Sequence, residues 1–343
     1  MHRIPVLSSL IVLLIVSTTS AAPPQYAVID LGHDAAVIAV DPQGNGVGSW
    51  QGQAALFTLN GTHGLLGSLP NGSSSVATNR DGIHGSVGFS ATIPDTSIGQ
   101  EGTHAFYRFN GIMHDLGTFQ GNPFSFASAL NSTIAVGWGG ATGVDGSVPL
   151  SWRLKGGPAV RLATLGGPTG FVHALRPSGV AVGSSDTKQG ELHATLWLMA
   201  VPSDLTPGTG IVSEAYAVNM SLMIVGDIMQ NNKQSGFRWT SQRGLEKVGT
   251  LPGHFQSTLT GVNIAGTAVG QSIGPGNFPL GAVAIRCGPN RCIDLNTVVQ
   301  APGWVLENAC CINDQGVIGG QGQRNGQLRA FLLRPLPLTV AHQ

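Results

Sequence analysis

VNIAGTAVG (262–270) decides the fold of this chain, because six variants of it occur elsewhere in the 343 residues. The repeated glycines lie roughly 40 to 50 residues apart, a period that is typical of repeat architectures. One supersecondary unit therefore accounts for nearly the whole chain. The other six variants are VDPQGNGVG (40–48), TNRDGIHGSVG (78–88), ALNSTIAVG (129–137), LRPSGVAVG (175–183), VNMSLMIVG (218–226) and INDQGVIGG (312–320), and the seven glycines are Gly48, Gly88, Gly137, Gly183, Gly226, Gly270 and Gly319.

The repeat over residues 104–148 predicts four strands. HAFYRFNG (104–111) alternates and ends in Asn110-Gly111, a strong hairpin signal, and IMHDLGTF (112–119) follows as a second strand. FSFASALN (124–131) and IAVGWGG (134–140) supply the third and fourth strands. We therefore expect each unit to be a four-stranded antiparallel meander.

A turn between the third and fourth strands recurs with Asn or Asp first and Gly fourth. This pattern predicts a type I turn, because the first side chain caps the backbone and glycine adopts the conformation that other residues resist. We expect these residues to be structural. The first positions are Asp41, Asn79, Asn131, Asn219, Asn263 and Asn313, with Arg176 as the exception, and Ile134 and Leu222 replace the glycine in two copies.

The two ends of the chain predict a closed ring. YAVIDLG (26–32) reads as a second strand, so the N-terminus supplies strands two to four of a unit, and RAFLLRP (329–335) supplies the missing first strand. Closing the array avoids an exposed sheet edge. We expect an all-β, seven-bladed β-propeller closed by pairing of the C-terminal strand with the N-terminal partial blade. An open solenoid is the alternative, but it would have polar capping repeats at both ends.

Composition and the N-terminus predict export. Residues 1–21 combine Arg3, a short apolar core and small residues before a cleavage site, which is typical of a secretory signal peptide. We expect a single repeat domain at residues 22–338 and a short tail at 339–343. Seventeen basic and seventeen acidic residues balance without a basic cluster, which argues against nucleic acid and against stable membrane insertion after cleavage. The mature protein is expected to be secreted or periplasmic, and a monomer.

All four cysteines lie in one repeat: Cys287, Cys292, Cys310 and Cys311. Export favours disulfides. Cys287 and Cys292 flank a turn and could face each other across a hairpin, or both could reach the Cys310–Cys311 strand. No metal site is expected, because paired C-x-x-C, HxH and HExxH spacings are absent.

The chain resembles the HAF-type extracellular repeat proteins of bacteria over residues 26–335. The resemblance rests on His104-Ala105-Phe106, on Asp115-Leu116-Gly117, and on the terminal unit with Gly303-Trp304, Ile312-Asn313-Asp314 and Ala330-Phe331. It implies export and a propeller-like fold. It implies no particular activity.

Function must reside in residues that break the repeat. The loops from strand two to three and from strand four to one are expected to share a face, where aromatic and carboxylate residues would form a binding surface for sugar rings or for a protein partner. The alternative is that the aromatic residues pack between blades. The candidate ligand-binding residues are Phe124, Phe171, His173, Glu214, Phe255, Trp304 and Glu307, accompanied by Phe126.

We expect a non-enzymatic binding module of the cell envelope or extracellular space that uses no cofactor and has no catalytic residues. The alternative is a hydrolase or lyase that acts on extracellular polysaccharide, using Glu214, Glu307 or Asp186 as acid and base. The register of Glu214 and Glu307 relative to Asn219 and Asn313 places the two carboxylates on different strand faces, which argues against their acting as a pair.

Overall fold

The structure is a computed structural model that describes residues 25–95, 100–140, 146–275, 281–289 and 291–337. The expected signal peptide (1–21) and tail (339–343) lie outside the described residues. No α-helix occurs in these ranges, and the all-β class is confirmed.

Twenty-eight strands and one 3₁₀ helix, Leu295–Val298, make up the regular structure of the described ranges. The strands are β1 (Tyr26–Gly32), β2 (Ala35–Val40), β3 (Gly46–Trp50), β4 (Gln53–Phe57), β5 (His63–Gly67), β6 (Ser75–Arg80), β7 (Ser86–Asp95), β8 (Gln100–Phe109), β9 (Ile112–Gly117), β10 (Phe124–Leu130), β11 (Ile134–Gly140), β12 (Val148–Arg153), β13 (Val160–Arg161), β14 (Gly166–Leu175), β15 (Ala181–Thr187), β16 (Leu192–Leu198), β17 (Val201–Asp204), β18 (Ile211–Val218), β19 (Ile224–Gln230), β20 (Lys233–Thr240), β21 (Gly244–Val248), β22 (Gln256–Val262), β23 (Ala268–Ile273), β24 (Ala282–Cys287), β25 (Cys292–Asp294), β26 (Trp304–Ile312), β27 (Ile318–Arg324) and β28 (Gln327–Pro335).

The strands form antiparallel sheets arranged as a β-propeller. Five sheets have four strands each: β2 to β5, β14 to β17, β18 to β21, β22 to β25, and β26 to β28 with β1. A sixth sheet has eight strands, in which β6 to β9 and β10 to β13 are joined where Thr103 of β8 pairs with Phe124 of β10 in parallel. The expectation of seven separate sheets is therefore not met, since five of them stand alone.

Each sheet starts two strands later than the sequence analysis expected. FSFASAL forms the first strand, β10, and IAVGWGG the second, β11, while β12 and β13 come from the next repeat. The chain crosses to a new sheet between the predicted second and third strands. The predicted unit was wrong because the chain leaves each sheet after the predicted second strand, and sequence alone does not show which connection leaves the sheet.

Ring closure is confirmed, although the N-terminus contributes one strand to it instead of three. β1 pairs antiparallel with β28, from Tyr26 opposite Pro335 to Asp30 opposite Phe331. Asp30 also accepts hydrogen bonds from Arg324 Nη1 at 2.6 Å and Arg329 Nε at 2.8 Å. Both backbone pairing and two ion pairs thus join the chain ends.

Seven strands, called the first strands below, carry a β-bulge at the same place, and they are β2, β6, β10, β14, β18, β22 and β26. In β10, for example, Ala127 pairs with Gly137 and Ala129 with Val136, which leaves Ser128 as the extra residue. A bulge bends the strand and strengthens its twist. The seven extra residues, called the bulge ring below, are Ile38, Thr78, Ser128, His173, Tyr216, Thr260 and Cys310.

The bulge explains the repeated glycine. A Cβ on Gly137 would lie 1.9 Å from the carbonyl oxygen of Phe126, so no side chain fits there. The same collision, at 1.8 to 2.1 Å, occurs at the equivalent glycine of every repeat. In the last repeat this glycine is Gly320, which pairs with Ala309, so the assignment of Gly319 was wrong by one residue.

The turn account is confirmed, with one correction. Asp41, Asn131, Asn219 and Asn313 each accept a hydrogen bond at side-chain Oδ1 from the backbone two residues on. In the second repeat Asp81 plays this role, accepting from Ile83 and His84 backbone nitrogens. Asn79 lies within β6 instead, because the turn begins at Asp81, which precedes Gly88 by the same seven residues as Asn219 precedes Gly226.

The His-Ala-Phe and Asp-Leu-Gly segments meet on the outer two strands of a sheet. His104 Nδ1 lies 2.8 Å from Asp115 Oδ2, and His193 Nδ1 lies 2.8 Å from Asp204 Oδ2. Arg329 takes the histidine position against Asp30. These aspartates also cap backbone nitrogens two residues on, so their role in this fold is structural.

Of the four cysteines, Cys287 and Cys292 form a disulfide across the β24–β25 hairpin. Cys310 and Cys311 are free, so the alternative pairing onto their strand is wrong. Their sulfurs lie 2.7 Å apart, and Cys310 Sγ donates to the carbonyl of Val37 on the next sheet at 3.2 Å. Burial, followed by the hydrogen bond with Cys310, raises the pKa of Cys311.

We predict that Gly137→Ala lowers the free energy of unfolding by about 3 kcal/mol or more, because the new methyl group collides with backbone and forces the bulge to rearrange. Gly64, on the outer strand β5, is the matched control, since nothing lies within 4 Å of its Cβ position. Gly64→Ala is expected to change stability by less than about 0.5 kcal/mol. Denaturant unfolding measures both, and equal stabilities for the two variants would refute the collision account.

We predict that Asp30→Asn weakens ring closure by about 2 kcal/mol at neutral pH, because two charge-assisted hydrogen bonds are lost. Burial acts to raise the pKa of Asp30, but hydrogen bonds from Arg329, Gly32 and Arg324 outweigh it and hold the pKa below its ordinary 3.8. The contribution of Asp30 is therefore present above about pH 4 and is lost as the pH falls through the lower folded value.

Denaturant unfolding at neutral and acidic pH tests this prediction. The difference between Asp30→Asn and the unmodified protein should shrink on acidification. Asp115→Asn is the matched control, since Asp115 has one histidine partner and a more exposed side chain. A larger loss for Asp115→Asn than for Asp30→Asn would contradict the assignment of Asp30 to ring closure.

Candidate functional site

The bulge ring lines the central channel of the propeller. A cavity of about 360 Å³ lies at this level and is bordered by all seven first strands, including each member of the bulge ring. Several members also join one first strand to the next: Thr78 Oγ1 donates to Ala127 O at 2.6 Å, and Thr260 Oγ1 to Ala309 O at 2.7 Å. The channel wall is thus built from irregular positions that sequence periodicity does not reveal.

One layer nearer the loops that connect the sheets, fourteen residues form a second circle that we call the channel belt. Each first strand contributes the residue two before its bulge. The strand that follows it contributes the residue opposite, which comes directly after the repeated glycine. Alternation along the strand places the former on the same side as the bulge residue. The pairs are Ala36–Ser49, Val76–Phe89, Phe126–Trp138, Phe171–Ser184, Glu214–Asp227, Thr258–Gln271 and Asn308–Gln321.

Hydrogen bonds join polar members of the channel belt across three junctions between sheets. Ser184 Oγ donates to Glu214 Oε1 at 3.2 Å, Thr258 Oγ1 to Asp227 Oδ2 at 3.2 Å, and Asn308 Nδ2 to Gln271 Oε1 at 3.3 Å. All its members except Ser184 are half-buried. Because the first strands are innermost, the open side of these residues faces the channel.

One arc of the channel belt is aromatic. Phe126 stacks on Trp138 with ring centroids 4.1 Å apart, Phe89 approaches Phe126 at 5.0 Å, and Phe171 approaches Trp138 at 5.3 Å. Phe171 then stacks on His173, which contacts Tyr216. The ring contacts of Phe89 with Phe126 and of Trp138 with Phe171 show the packing that one sequence interpretation expects, while ligand binding by these aromatics stays a prediction.

The other arc is polar and centres on Glu214. His173 Nε2 lies 2.5 Å from Glu214 Oε1, and Tyr216 donates to Oε2 at 3.0 Å. Burial acts to raise the pKa of Glu214, but His173, Tyr216 and Ser184 outweigh it and lower the pKa. Glu214 is therefore a carboxylate held ionised by its neighbours.

Asp227 faces Glu214 across the β18–β19 pair and behaves in the opposite way. Burial raises the pKa of Asp227, against hydrogen bonds from Gln234 and Thr258, and the charge of Glu214 raises it further. Burial and the two carboxylates also raise the pKa of Tyr216, which stays a phenol. Two adjacent carboxyl groups thus have pKa values displaced in opposite directions.

The structure brings together three of the predicted binding residues, Phe171, His173 and Glu214. Phe124 begins β10, half-buried, and Phe255 is 57% exposed beside β22. Trp304 packs edge-on against Phe331 with centroids 6.0 Å apart. These three are not part of the channel belt.

The other proposed catalytic carboxylates do not join Glu214. Glu307 is 7% exposed and accepts a hydrogen bond from Gln323 Nε2 at 2.6 Å. It lies at a second irregularity of β26, between Leu306 and Asn308. Asp186 lies on β15 opposite Leu192.

Sequence reasoning missed Asp227, Trp138 and Tyr216. A usable signal exists, because Asp227 and Trp138 each follow the repeated glycine directly, where the seven copies differ from one another. Among the described residues, no three His, Cys, Asp or Glu side chains are placed to hold a metal ion, and no helix there is long and apolar enough to cross a membrane.

We predict that Phe126→Ala lowers the free energy of unfolding by about 2 kcal/mol, because the ring is wedged between Phe89 and Trp138. Phe255→Ala should stay within about 0.5 kcal/mol, since its ring is mostly exposed. Denaturant unfolding of the two variants measures the difference. Equal losses would show that the channel belt contributes no inter-sheet packing.

No protein-family model and no curated protein matches the chain. Solved structures share the fold: a puromycin hydrolase mutant has a TM-score of 0.56 at 13% identity, covering 80% of this chain and 47% of that one. Another puromycin hydrolase structure has a TM-score of 0.53 at 12% identity, covering 79% and 47%. A structure from a study of two prolyl endopeptidases has a TM-score of 0.51 at 11% identity, covering 91% and 50%. This chain spans about half the length of these neighbours, and the likeness concerns the fold alone.

Proposed function

We propose that this protein is an exported, non-enzymatic binding module whose ligand contacts the channel belt. The observation that carries the proposal is the division of this belt into an aromatic arc and a polar arc that meet at Phe171 and Ser184. Apolar walls with a few placed polar groups are typical of ligand sites.

A glycan suits this division best. Sugar rings present apolar faces that stack on aromatic side chains, and hydroxyl groups that donate to carboxylate and amide oxygens. The channel belt offers Trp138 and Phe126 for the first contact, and Glu214 and Gln271 for the second. No belt residue is a cation, so a neutral ligand fits better than an anionic one.

We further propose that the propeller has seven blades. The eight-stranded sheet then counts as two blades joined by one parallel bridge, an interpretation supported by the seven first strands around the channel. Membership of the HAF-type repeat proteins remains our proposal, supported by the His–Asp pairs that its two signature segments form. Export, to the periplasm or the medium, is supported by the Cys287–Cys292 disulfide.

A second candidate function is cleavage of a polysaccharide, as a hydrolase or as a lyase. It is favoured by Glu214 and Asp227, which face each other with pKa values lowered and raised respectively. Such separation is the arrangement that assigns base and acid roles to two carboxyl groups. Glu307 and Asp186 have no part in this version.

A glycan array of the purified mature protein, followed by calorimetric titration with the strongest binder, tests the proposal. Trp138→Ala and Glu214→Gln are each expected to weaken binding about tenfold, through loss of stacking and of a charged acceptor. Glu246→Gln, an exposed change outside the channel, is the control and should bind normally. Unchanged binding by both channel variants would refute a channel ligand.

The same glycans, incubated with the protein and analysed by mass spectrometry, separate the two candidate functions. Intact glycan supports the binding module. Cleavage that is lost in both Glu214→Gln and Asp227→Asn would establish the enzymatic alternative in its place.

A further inference from the structure

A second cleft lies at the outer rim of the ring, between the β20–β21 pair and the β24–β25 hairpin. It has a volume of about 720 Å³ and is bordered by the segment from Val248 to Pro252, which leads into β22. The Cys287–Cys292 disulfide closes the hairpin on its far side. This cleft shares no residue with the channel belt.

The cleft concentrates positive charge. Arg238, Arg243 and Arg291 border it with Glu246 as the one carboxylate, so cations exceed anions by two. Lys247 also borders the cleft, but its Nζ donates to Gln230 Oε1 at 3.0 Å. The whole chain, by contrast, has equal numbers of basic and acidic residues. Arg243 and Glu246 are both exposed and 3.7 Å apart, so their ion pair neutralises little of this charge.

Arg238 shows that the charge extends to the buried wall of the cleft. It is 8% exposed, and Nη2 donates to the Cys287 carbonyl at 2.8 Å. Its Nε is buried without a hydrogen-bond partner among the described residues. Burial lowers the pKa of Arg238, against the attraction of Glu246, which means that the cation is incompletely compensated. An anion bound in the cleft would reduce that cost.

The spacing of the cations indicates more than one anionic group in the ligand. Arg243 lies in the β20–β21 turn on one side of the cleft. Arg291 extends from the opposite hairpin. No aromatic side chain borders the cleft, so the stacking platform that single-stranded nucleic acids use is missing.

We propose that this cleft binds an acidic oligosaccharide through its carboxylate or sulfate groups. Arg243 and Arg291 contact oxyanions from opposite sides of the cleft, and Arg238 supplies fixed positive charge behind them. The proposal concerns a second site and does not depend on a ligand in the channel.

Calorimetric titration of the purified mature protein with oligogalacturonate and with a sulfated oligosaccharide of equal length tests this proposal. Both are anionic, and the tighter binder identifies the preferred oxyanion. We expect binding that weakens as salt is raised. The double variant Arg243→Gln/Arg291→Gln should lose at least about tenfold in affinity, while its melting temperature stays unchanged.

The matched control is Lys188→Gln/Lys233→Gln, which removes two exposed cations away from the cleft and should bind normally. An equal loss in this control would overturn the proposal, because it would show that net charge alone drives binding. Absence of binding to both acidic probes, or equal binding of a neutral oligosaccharide, would also overturn it. Tighter binding of a single-stranded oligonucleotide of the same charge would overturn the proposal too, because it would identify the ligand as a nucleic acid. Trp138→Ala leaves acidic binding intact if the two sites are separate.

Discussion

The close approach of two backbones at each bulge is the constraint on which this propeller depends. The carbonyl oxygen two residues before the bulge occupies the space that a Cβ on the second strand would need, which only glycine leaves free. The bulge bends the first strand and turns its extra residue toward the channel. Hydrogen bonds from Thr78, Thr260 and Cys310 then join each of these strands to the next first strand around the channel. One local irregularity, repeated around the ring, therefore shapes both the sheets and their junctions.

The same constraint determines where chemistry can vary without loss of the scaffold. The residue after the repeated glycine and the residue two before the bulge have side chains that face the channel, and neither side chain takes part in the backbone contact. At Phe126 and Trp138 these two positions hold stacked rings, and at Glu214 and Asp227 they hold carboxyl groups. The channel belt can thus change from apolar to polar within one ring while every bulge stays the same.

The strands, their antiparallel order and the pairing of β28 with β1 could be predicted. Hairpin signals and the incomplete repeat units at the two termini can be read directly from the sequence. The bulge could not, since one extra residue leaves no mark in composition or in alternation over so short a strand. The misplaced turn at Asn79 and the misplaced glycine at Gly319 have another cause, because Asp81 and Asn313 keep the same seven-residue spacing to Gly88 and Gly320 that Asn219 keeps to Gly226. The bulge also hid the pairing of Glu214 with Asp227, because this pairing depends on the strand register. The carboxylate opposite Glu214 is therefore Asp227 and not Glu307.

Charge is distributed unevenly in a chain that is neutral overall, and this separates the two proposed ligands. Glu214 and Asp227 make the channel belt anionic, and burial around them strengthens their field. An acidic saccharide would be repelled there and attracted to the cleft beside Arg238, while a neutral one has no electrostatic reason to prefer the cleft. Electrostatic complementarity contributes to specificity as much as to affinity. A polymer with neutral and acidic stretches could therefore contact both sites in one orientation only, with its acidic part at the rim.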